Sequence, residues 1–380
     1  MKHSICGIIA EFNPFHEGHG HLIREAWKLT GADEIVCIMS PDFVQRGGPA
    51  IEDKYTRTRA ALEAGCGCVL ELPVQFAAAS AGTFASAGVT LLAKAGIDCL
   101  CFGSECGSIE ALSGLADVLS EESAEFSGAV RSAMRSGLSY PSAIGQALRE
   151  TVPGGGDLAS FYARPNDRLA VEYLRALKAF PGIEAFTVPR LPGVCASDVR
   201  ARRFAEGGRG LRSSDFSSVL AEKILSAGDL TVFEDVDADL ASRIRKLSVT
   251  HTDFEELAAA VKTKAYTRTR VDRALTHILL GITSDQVRHA SECGYASYLR
   301  VLGYRKDAKQ LIGQLSAIFP GPVLLKLSDA DAQLSVSDRA LLEGNLFASD
   351  LWRAVRLLKY RDEALSRKPE RSAGIVIICA

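Results

Sequence analysis

Short apolar runs and helical patterns alternate through the first half of the chain. The runs at 4–11 (SICGIIAE), 34–39 (EIVCIM), 68–73 (CVLELP) and 98–105 (DCLCFGSE) read as buried strands. Between them, 20–31, 51–65 and 81–96 carry apolar residues at helical spacing. Strand–helix–strand alternation at this spacing predicts βαβ units and a parallel sheet. A fifth strand is predicted at 183–189 (IEAFTVP). The turn-rich VPGGGD at 152–157 breaks this half internally, and EGGRG at 206–210 is the better domain boundary. After it the strand signals nearly vanish. Segments such as FSSVLAEKILSAG, DFEELAAAVKTKAY, TRVDRALTHILLGI and DLWRAVRLLKYRDEAL are amphipathic and helical, and the apolar tail AGIVIICA closes the chain. The expectation is an α/β protein: a parallel, Rossmann-like domain over 1–207 and a mostly α-helical domain over 211–380.

Composition narrows this picture. The 380 residues are 47% hydrophobic and 24% charged, ordinary for a globular protein, and the net charge of −2 excludes a histone-like basic binder while allowing a local basic face. KHSICGIIA at 2–10 is cut off by Glu11 and Asn13, too soon for a secretory signal, and no stretch is long enough for a membrane span. The ten cysteines are scattered, several inside apolar runs, as expected of small core residues in a reducing cytoplasm. CGC and CLC lack zinc-ligand spacing, so no metal site is expected from them.

The candidate chemistry sits in EFNPFHEGHGHL, residues 11–22, which holds three of the seven histidines. It follows the first predicted strand and opens the first helix. Ligands bind at that strand-end crevice in open parallel sheets, and a helix start offers unpaired N–H groups to phosphate. Gly18 and Gly20 admit a ligand close to the backbone, His16 and His19 supply ring N–H donors, and Asn13 adds amide donors. A solvated turn and a metal site are the competing readings; the metal reading lacks a third ligand at a familiar spacing, and His21 points away from His19 on a helix.

HEGH has the H-x-G-H form of the HIGH-type nucleotidyltransferase superfamily. The longer blocks GIIAEFNPFHEGHGHLI, MSPDFVQRGGPAIEDKYTRTRAALEAG, LELPV, FGSE, LSYPSAIGQAL, RPNDRLAVEYLRAL and YLRVLGYRKDAKQLI resemble the bacterial tRNA(Met) cytidine acetate ligase family. That resemblance implies an enzyme that uses ATP and acetate to form acetyl-adenylate, then acetylates N4 of the wobble cytidine, position 34, of elongator tRNA(Met). It implies ATP contacts along Gly7, Ile8, Ile9, Ala10, Glu11, Phe12, Asn13, Pro14, Phe15, His16, Glu17, Gly18, His19 and Gly20, with His16 and His19 catalytic. It adds Gly103, Asn166, Arg190, and the Ser-x-x-Arg pair Ser197 and Arg200 to the nucleotide site. Asn166 is expected to cap the helix after RPNDRL, and Ser197 the helix that carries Arg200. Magnesium is expected to enter with ATP, held largely through phosphate oxygens. One departure stands out: family members carry a longer loop with Tyr-His-Asp after the Arg, compressed here to LPGVC at 191–195.

Gln45 and Arg46 read as substrate or tRNA contacts or as a solvated loop; Lys54 and Arg57 as phosphate ligands or a surface salt-bridge face. Residues 260–310 hold ten Lys/Arg against four Asp/Glu, a local charge of +6 interleaved with Tyr266, Tyr295, Tyr298 and Tyr304. Lys264, Arg268, Arg270, Arg305 and Lys306 are the candidate tRNA contacts there. A pocket ringed by Phe12, Pro14, Phe15 and residues 70–80 is expected to admit only a small acid. The alternatives are a small-molecule adenylyltransferase and a non-catalytic nucleotide- or RNA-binding protein. Nothing in the sequence sets the oligomeric state.

Overall fold

The computed structural model describes residues 4–193, 195–361 and 369–379. Lys2 and His3 of the N-terminal run, Val194 of the compressed loop, residues 362–365 at the end of DLWRAVRLLKYRDEAL and Ala380 of the tail lie outside the described residues. Five strands run parallel: β1 (Ile5–Ala10), β2 (Glu34–Met39), β3 (Cys68–Glu71), β4 (Cys99–Ser104) and β5 (Glu184–Pro189). β1 to β4 were legible as apolar runs because strands covered on both faces need apolar residues at nearly every position; β5, at the sheet edge, is mostly half-buried or exposed. Alternate residues serve two layers. Ile5, Ile9, Val36, Ile38, Leu70 and Leu100 pack on one side of the sheet. Cys6, Ile8, Cys37, Met39, Cys99 and Cys101 pack on the other, so the strand cysteines act as small core residues, and all ten cysteines are free.

The strand signal does not end at residue 210. β6 (Leu299–Arg305), β7 (Val323–Leu324) and β8 (Val376–Ile378) extend the sheet, in the order β5-β4-β1-β2-β3-β6-β7 with β8 beside β6. β6 lies antiparallel to β3, pairing Cys68 with Tyr304 and Glu71 with Arg300. Its sequence, LRVLGYR, carries two arginines and sits among helices. Only pairing with the open edge of β3 makes it a strand, and that is a long-range contact invisible to local periodicity. The rest of the second half is mostly helical, with its own core around Leu220, Leu240, Phe254, Leu275 and Trp352. Five helices between Ile109 and Leu177 are inserted between β4 and β5. Among the described residues no helix is long and apolar enough to cross a membrane.

A buried charge network joins these parts. Lys54 is fully buried; its Nζ reaches Glu71 Oε1 at 2.5 Å, Ser349 Oγ at 2.8 Å and Glu370 Oε1 at 2.8 Å. Arg300 bridges the same two carboxylates at 2.8 and 2.6 Å, and Arg353 reaches Glu370 at 2.7 Å. Arg57, also fully buried, donates to the carbonyls of Glu11 (2.7 Å), Ser40 (3.0 Å) and Pro41. Both side chains therefore depart from the phosphate-ligand expectation: neither reaches solvent or a cavity, and their donors are held by carboxylates and by backbone carbonyls. Arg57 instead ties together the ends of β1 and β2.

Burial alone would raise the Glu370 carboxyl, but the charges of Lys54 and Arg300 and hydrogen bonds from Lys54 and Tyr55 outweigh it and hold it well below the usual carboxylate range. A depressed carboxylate stabilises the fold above its unfolded pKa of about 4.3, and that stabilisation is lost as pH falls below it. Glu370→Gln is expected to cost about 3–5 kcal/mol, because it strands buried cations. Urea unfolding at pH 7 checks the loss, and the variant's stability should fall less steeply than the wild type's between neutral pH and pH values below that of the unfolded carboxyl.

Candidate active site

The chain lays down β1, β2 and β3 in one direction, then returns to place β4 on the other side of β1. This reversal opens a crevice at the carboxyl ends of β1 and β4, the switch point where α/β sheets bind ligands. A cavity of about 1380 Å³ fills it, reaching Ile9, Ala10, Gly103, Val188 and Pro189 at the strand ends.

The helix Glu17–Thr30 starts at this edge, and His16 is its N-cap. His16 Nδ1 accepts from the Gly18 N–H at 3.1 Å, and His19 Nδ1 accepts from the His16 N–H at 3.3 Å. The two rings stack at 3.7 Å between centroids. With Nδ1 acting as an acceptor, a neutral ring carries its proton on Nε2. Burial, then the charges of Arg190 and Arg200, lower the His16 pKa; burial, then His16 and Arg190, lower that of His19 further. Both rings are thus neutral near pH 7, each with one Nε2–H donor left over, and both border the cavity. Glu11, Asn13 and Gly18 line it as well.

Several residues of the predicted ATP segment do other work. An added Cβ at Gly7 would meet Ile97 Cδ1 at 2.8 Å and Leu92 Cδ1, on the helix Ala81–Lys94, at 3.0 Å, so that glycine serves the packing of β1. Ile8 and Phe12 are core residues. Phe12 and Phe15 stand edge-on or tilted to the His19 ring, at 4.9 and 5.6 Å, and brace it. Neither these residues nor Pro14, Glu17 or Gly20 line the cavity, whereas His21, read as turned away from His19, does border it. Asn13 presents Oδ1 to the Ile51 N–H at 2.9 Å, so its amide serves the loop as well as the crevice.

The other predicted nucleotide residues converge. Gly103 is bare where a Cβ would meet nothing closer than 3.9 Å, which leaves open space at the end of β4. Arg200 Nη1 donates to the Asn13 carbonyl at 2.7 Å, and Arg190 Nη1 reaches Glu105 at 3.3 Å. The two expected caps are corrected. Arg164 is the N-cap of Pro165–Leu177, and the acceptor for that helix start is Glu105, which takes the N–H groups of Asn166 (3.2 Å) and Asp167 (2.7 Å) as well as the Asn166 side chain. Cys195, not Ser197, precedes Ala196–Ala205, and Ser197 Oγ lies 2.8 Å from Cys195 Sγ. In both cases the chain enters the helix two residues earlier than the polar side chain suggested. Asn166, Arg190, Ser197 and Arg200 nevertheless all line the cavity.

The loop after β2 reaches the same space. The Gln45 N–H donates to Glu11 at 2.8 Å, and Gln45 and exposed Arg46 both border the cavity. Gly47 has φ +80°, and a Cβ there would stand 2.3 Å from the Arg273 backbone nitrogen. Only glycine lets this loop touch the helix Arg268–Leu280 so closely. That contact brings Arg270, Arg273 and Tyr266 to the cavity rim. Arg270 pairs with Asp237 at 2.7 Å and lies 5.0 Å from the Tyr266 ring centre.

The remaining basic candidates separate. Arg268 is held by Glu255 and Asp272, and Lys264 is exposed; neither lines the cavity. Arg305 and Lys306 are displaced furthest. β6 runs antiparallel to β3, so its end lies at the start of β3, with the Arg305 N–H on the Gly67 carbonyl, at the sheet edge opposite the crevice. Tyr298 is buried and Tyr295 packs on Phe76, so of the four interleaved tyrosines only Tyr266 borders the cavity. Sequence reasoning missed Tyr140, Tyr162, Arg168, Glu172 and Arg175, which the inserted helices bring to the far wall. Arg168, Glu172 and Arg175 lie in RPNDRLAVEYLRAL and Tyr140 in LSYPSAIGQAL, blocks that carried the resemblance but gave these residues no role. Among the described residues no group of three or more His, Cys, Asp or Glu is placed to hold a metal ion.

A switch-point crevice with paired neutral histidine donors at a helix start, faced by arginines, defines a HIGH-type nucleotidyl transferase, and the family model for HIGH Nucleotidyl Transferase matches residues 3–200 and 194–367. The tRNA(Met) cytidine acetate ligase of Acetivibrio thermocellus is 31% identical, over 98% of this chain and 99% of its own. That of Thermoanaerobacter sp. is 32% identical, over 95% and 97%. The chain belongs to the tRNA(Met) cytidine acetate ligase family. Its fold is also that of Thermotoga maritima TmcAL crystallised with alpha-thio ATP, with a TM-score of 0.88 and 23% identity over 99% of this chain and 100% of the other.

Replacing His19 by Ala removes one of the two Nε2–H donors. Loss of a donor of this kind costs about 2.7–4 kcal/mol of transition-state stabilisation, roughly 100–1,000-fold in rate. Exchange of labelled pyrophosphate into ATP should slow accordingly; exchange at the wild-type rate would show that the rings do not serve the phosphates.

Proposed function

We propose that this chain is an ATP-dependent ligase that converts acetate to acetyl-adenylate and transfers the acetyl group to N4 of cytidine 34 in elongator tRNA(Met). The family membership supports this reading, and one observation carries it: the phosphate donors and the basic, aromatic rim of the helical half open into a single cavity. A transferase for a small phosphorylated metabolite has no use for that second wall.

In the first step an acetate oxygen attacks the α-phosphorus and pyrophosphate leaves. No protein nucleophile is required. The step needs the reactants aligned and the growing negative charge stabilised. The Nε2–H groups of His16 and His19 supply neutral donors, and Arg190, Arg200 and Arg46 supply charge. Because the rings are uncharged, they do not add to the electrostatic cost of holding several arginines together before ATP arrives. Magnesium would travel with ATP on its phosphate oxygens, since the described residues offer no cluster to hold it, and when bound it neutralises phosphate charge. A cytoplasmic location suits ATP and tRNA as substrates and ten free cysteines.

The acid seat departs from the expected ring: Phe12, Pro14, Phe15 and residues 70–79 do not reach the cavity, and Ser80 with the neighbouring Ala81 is left to meet the acetate methyl. Purified protein with ATP, bulk tRNA and labelled acetate, digested to nucleosides, should yield N4-acetylcytidine. Propionate at equal concentration should react roughly 10–200-fold more slowly, the range one methylene commands in an apolar pocket. Glycine should fail, because its ammonium would be buried unpaired. Efficient activation of an amino acid would overturn the acetate assignment.

Arg270 is the basic candidate at the rim. Arg270→Ala should weaken tRNA binding and lower the slope of log affinity against log salt by roughly one, measured by filter binding across a salt series. An unchanged slope would assign this arginine to its Asp237 pair alone.

A further inference from the structure

The cavity continues past the histidines to a wall on the inserted helices that the phosphate donors do not account for. Its volume of about 1380 Å³ exceeds the roughly 300–1,000 Å³ of a site for one small molecule. The far wall of this chamber comes from the inserted helices. Glu172, on Pro165–Leu177, points toward the first turn of the helix Ala81–Lys94, where a Cβ on Gly82 would stand 3.5 Å from Glu172 Oε2. Arg175 Nη1 donates to both oxygens of that carboxylate, at 3.3 and 3.2 Å. Met134 and Tyr140 are the two exposed large apolar side chains, among the described residues, that border the cavity, 46% and 48% exposed.

A carboxylate repels triphosphate, so this wall does not suit the phosphates, and the open strand end at Gly103 leaves the adenine of ATP a place beside β4. A carboxylate and a guanidinium side by side suit a flat polar edge with one donor and adjacent acceptors. Cytosine presents that edge: the N4 amine donates, and N3 and O2 accept. We infer that this chamber seats the wobble cytosine, with Glu172 accepting from N4, Arg175 donating to N3 or O2, and the Tyr140 ring stacking on the base. The inference rests on the tRNA reading above and adds the site where the acceptor base is held. Uracil would set its O4 acceptor against the Glu172 carboxylate, so the same pair excludes it. On the opposite wall the Tyr266 hydroxyl is held by Asp237 at 2.9 Å and its ring is faced by Arg270, an arrangement that suits the RNA backbone better than a base.

Glu172 also stands where the N4 proton has to go. As N4 attacks the acetyl carbonyl carbon, the N4–C bond forms. The bond from that carbon to the phosphate oxygen breaks, its electron pair leaving on AMP, and the N4 proton passes to the Glu172 carboxylate. Burial raises the Glu172 carboxyl against the opposing charges of Arg175 and Arg168, the direction that favours accepting a proton.

The test uses tRNA(Met) transcripts carrying C34 or U34 and the variants Glu172→Gln and Tyr140→Ala; the Tyr140 ring is half exposed, so its removal leaves the core intact. Wild-type protein should bind the C34 transcript more tightly than the U34 one. Glu172→Gln should slow acetyl transfer to C34 by about 100-fold or more and erase the C34 preference, with acetate-dependent exchange of pyrophosphate into ATP reduced far less. Tyr140→Ala should weaken binding of the C34 transcript by roughly tenfold. If both variants transfer acetyl to C34 at the wild-type rate, the chamber is not the cytosine site although the tRNA reading stands. If the wild-type protein makes no N4-acetylcytidine, the tRNA reading fails and the inference falls with it.

Discussion

Two buried cations and two buried carboxylates hold this molecule in register. Lys54 and Arg300 share Glu71 and Glu370, so one network ties the helix after β2, the end of β3, the antiparallel strand β6 and the segment just before β8. Burying four charges carries a large desolvation penalty, repaid only when the geometry satisfies each of them. The network therefore adds specificity more than stability: β6 slipped along β3 would leave Arg300 and Glu71 unpaired. Its neighbour Arg57 extends the constraint to the crevice by holding three carbonyls at the ends of β1 and β2. The histidine helix starts from that braced edge.

At the crevice, the electrostatics follow from the same economy. A site for a polyanion collects arginines, and arginines close together repel. The stacked His16 and His19 rings meet that conflict by staying neutral, with Nδ1 occupied by backbone N–H groups and Nε2–H left over. Donors fixed this way need no reorganisation when charge develops on the phosphates. Phe12 and Phe15 contribute by holding the His19 ring in place.

The cavity is large because three parts of the chain border it. The parallel sheet provides the floor, the helices inserted between β4 and β5 one wall, and the helical half the other, drawn in by the close approach of Gly47 to Arg273. Each wall has its own chemistry: arginine with a tyrosine on one side, a carboxylate–guanidinium pair with an exposed tyrosine on the other.

The local sequence determined the parallel strands, β1 to β4 most plainly, since strands buried on both faces must be apolar nearly throughout, and it determined the HEGH helix start, since the strand-to-helix order alone places it at a crevice. Gly103, Asn166, Arg190, Ser197 and Arg200 were legible through resemblance, and the fold does gather them. Tertiary structure decided what local pattern does not encode. Lys54 and Arg57 read as phosphate ligands or surface cations until Glu71, Glu370 and the carbonyls of other segments enclosed them. β6 looked like part of a basic stretch until the edge of β3 paired with it, and its antiparallel direction carried Arg305 and Lys306 away from Arg270. Glu172 and Arg175 were given no role from the sequence, because whether a polar pair faces solvent or a chamber depends on which other segments stand opposite it, and Gly82, which stands against Glu172, is distant along the chain.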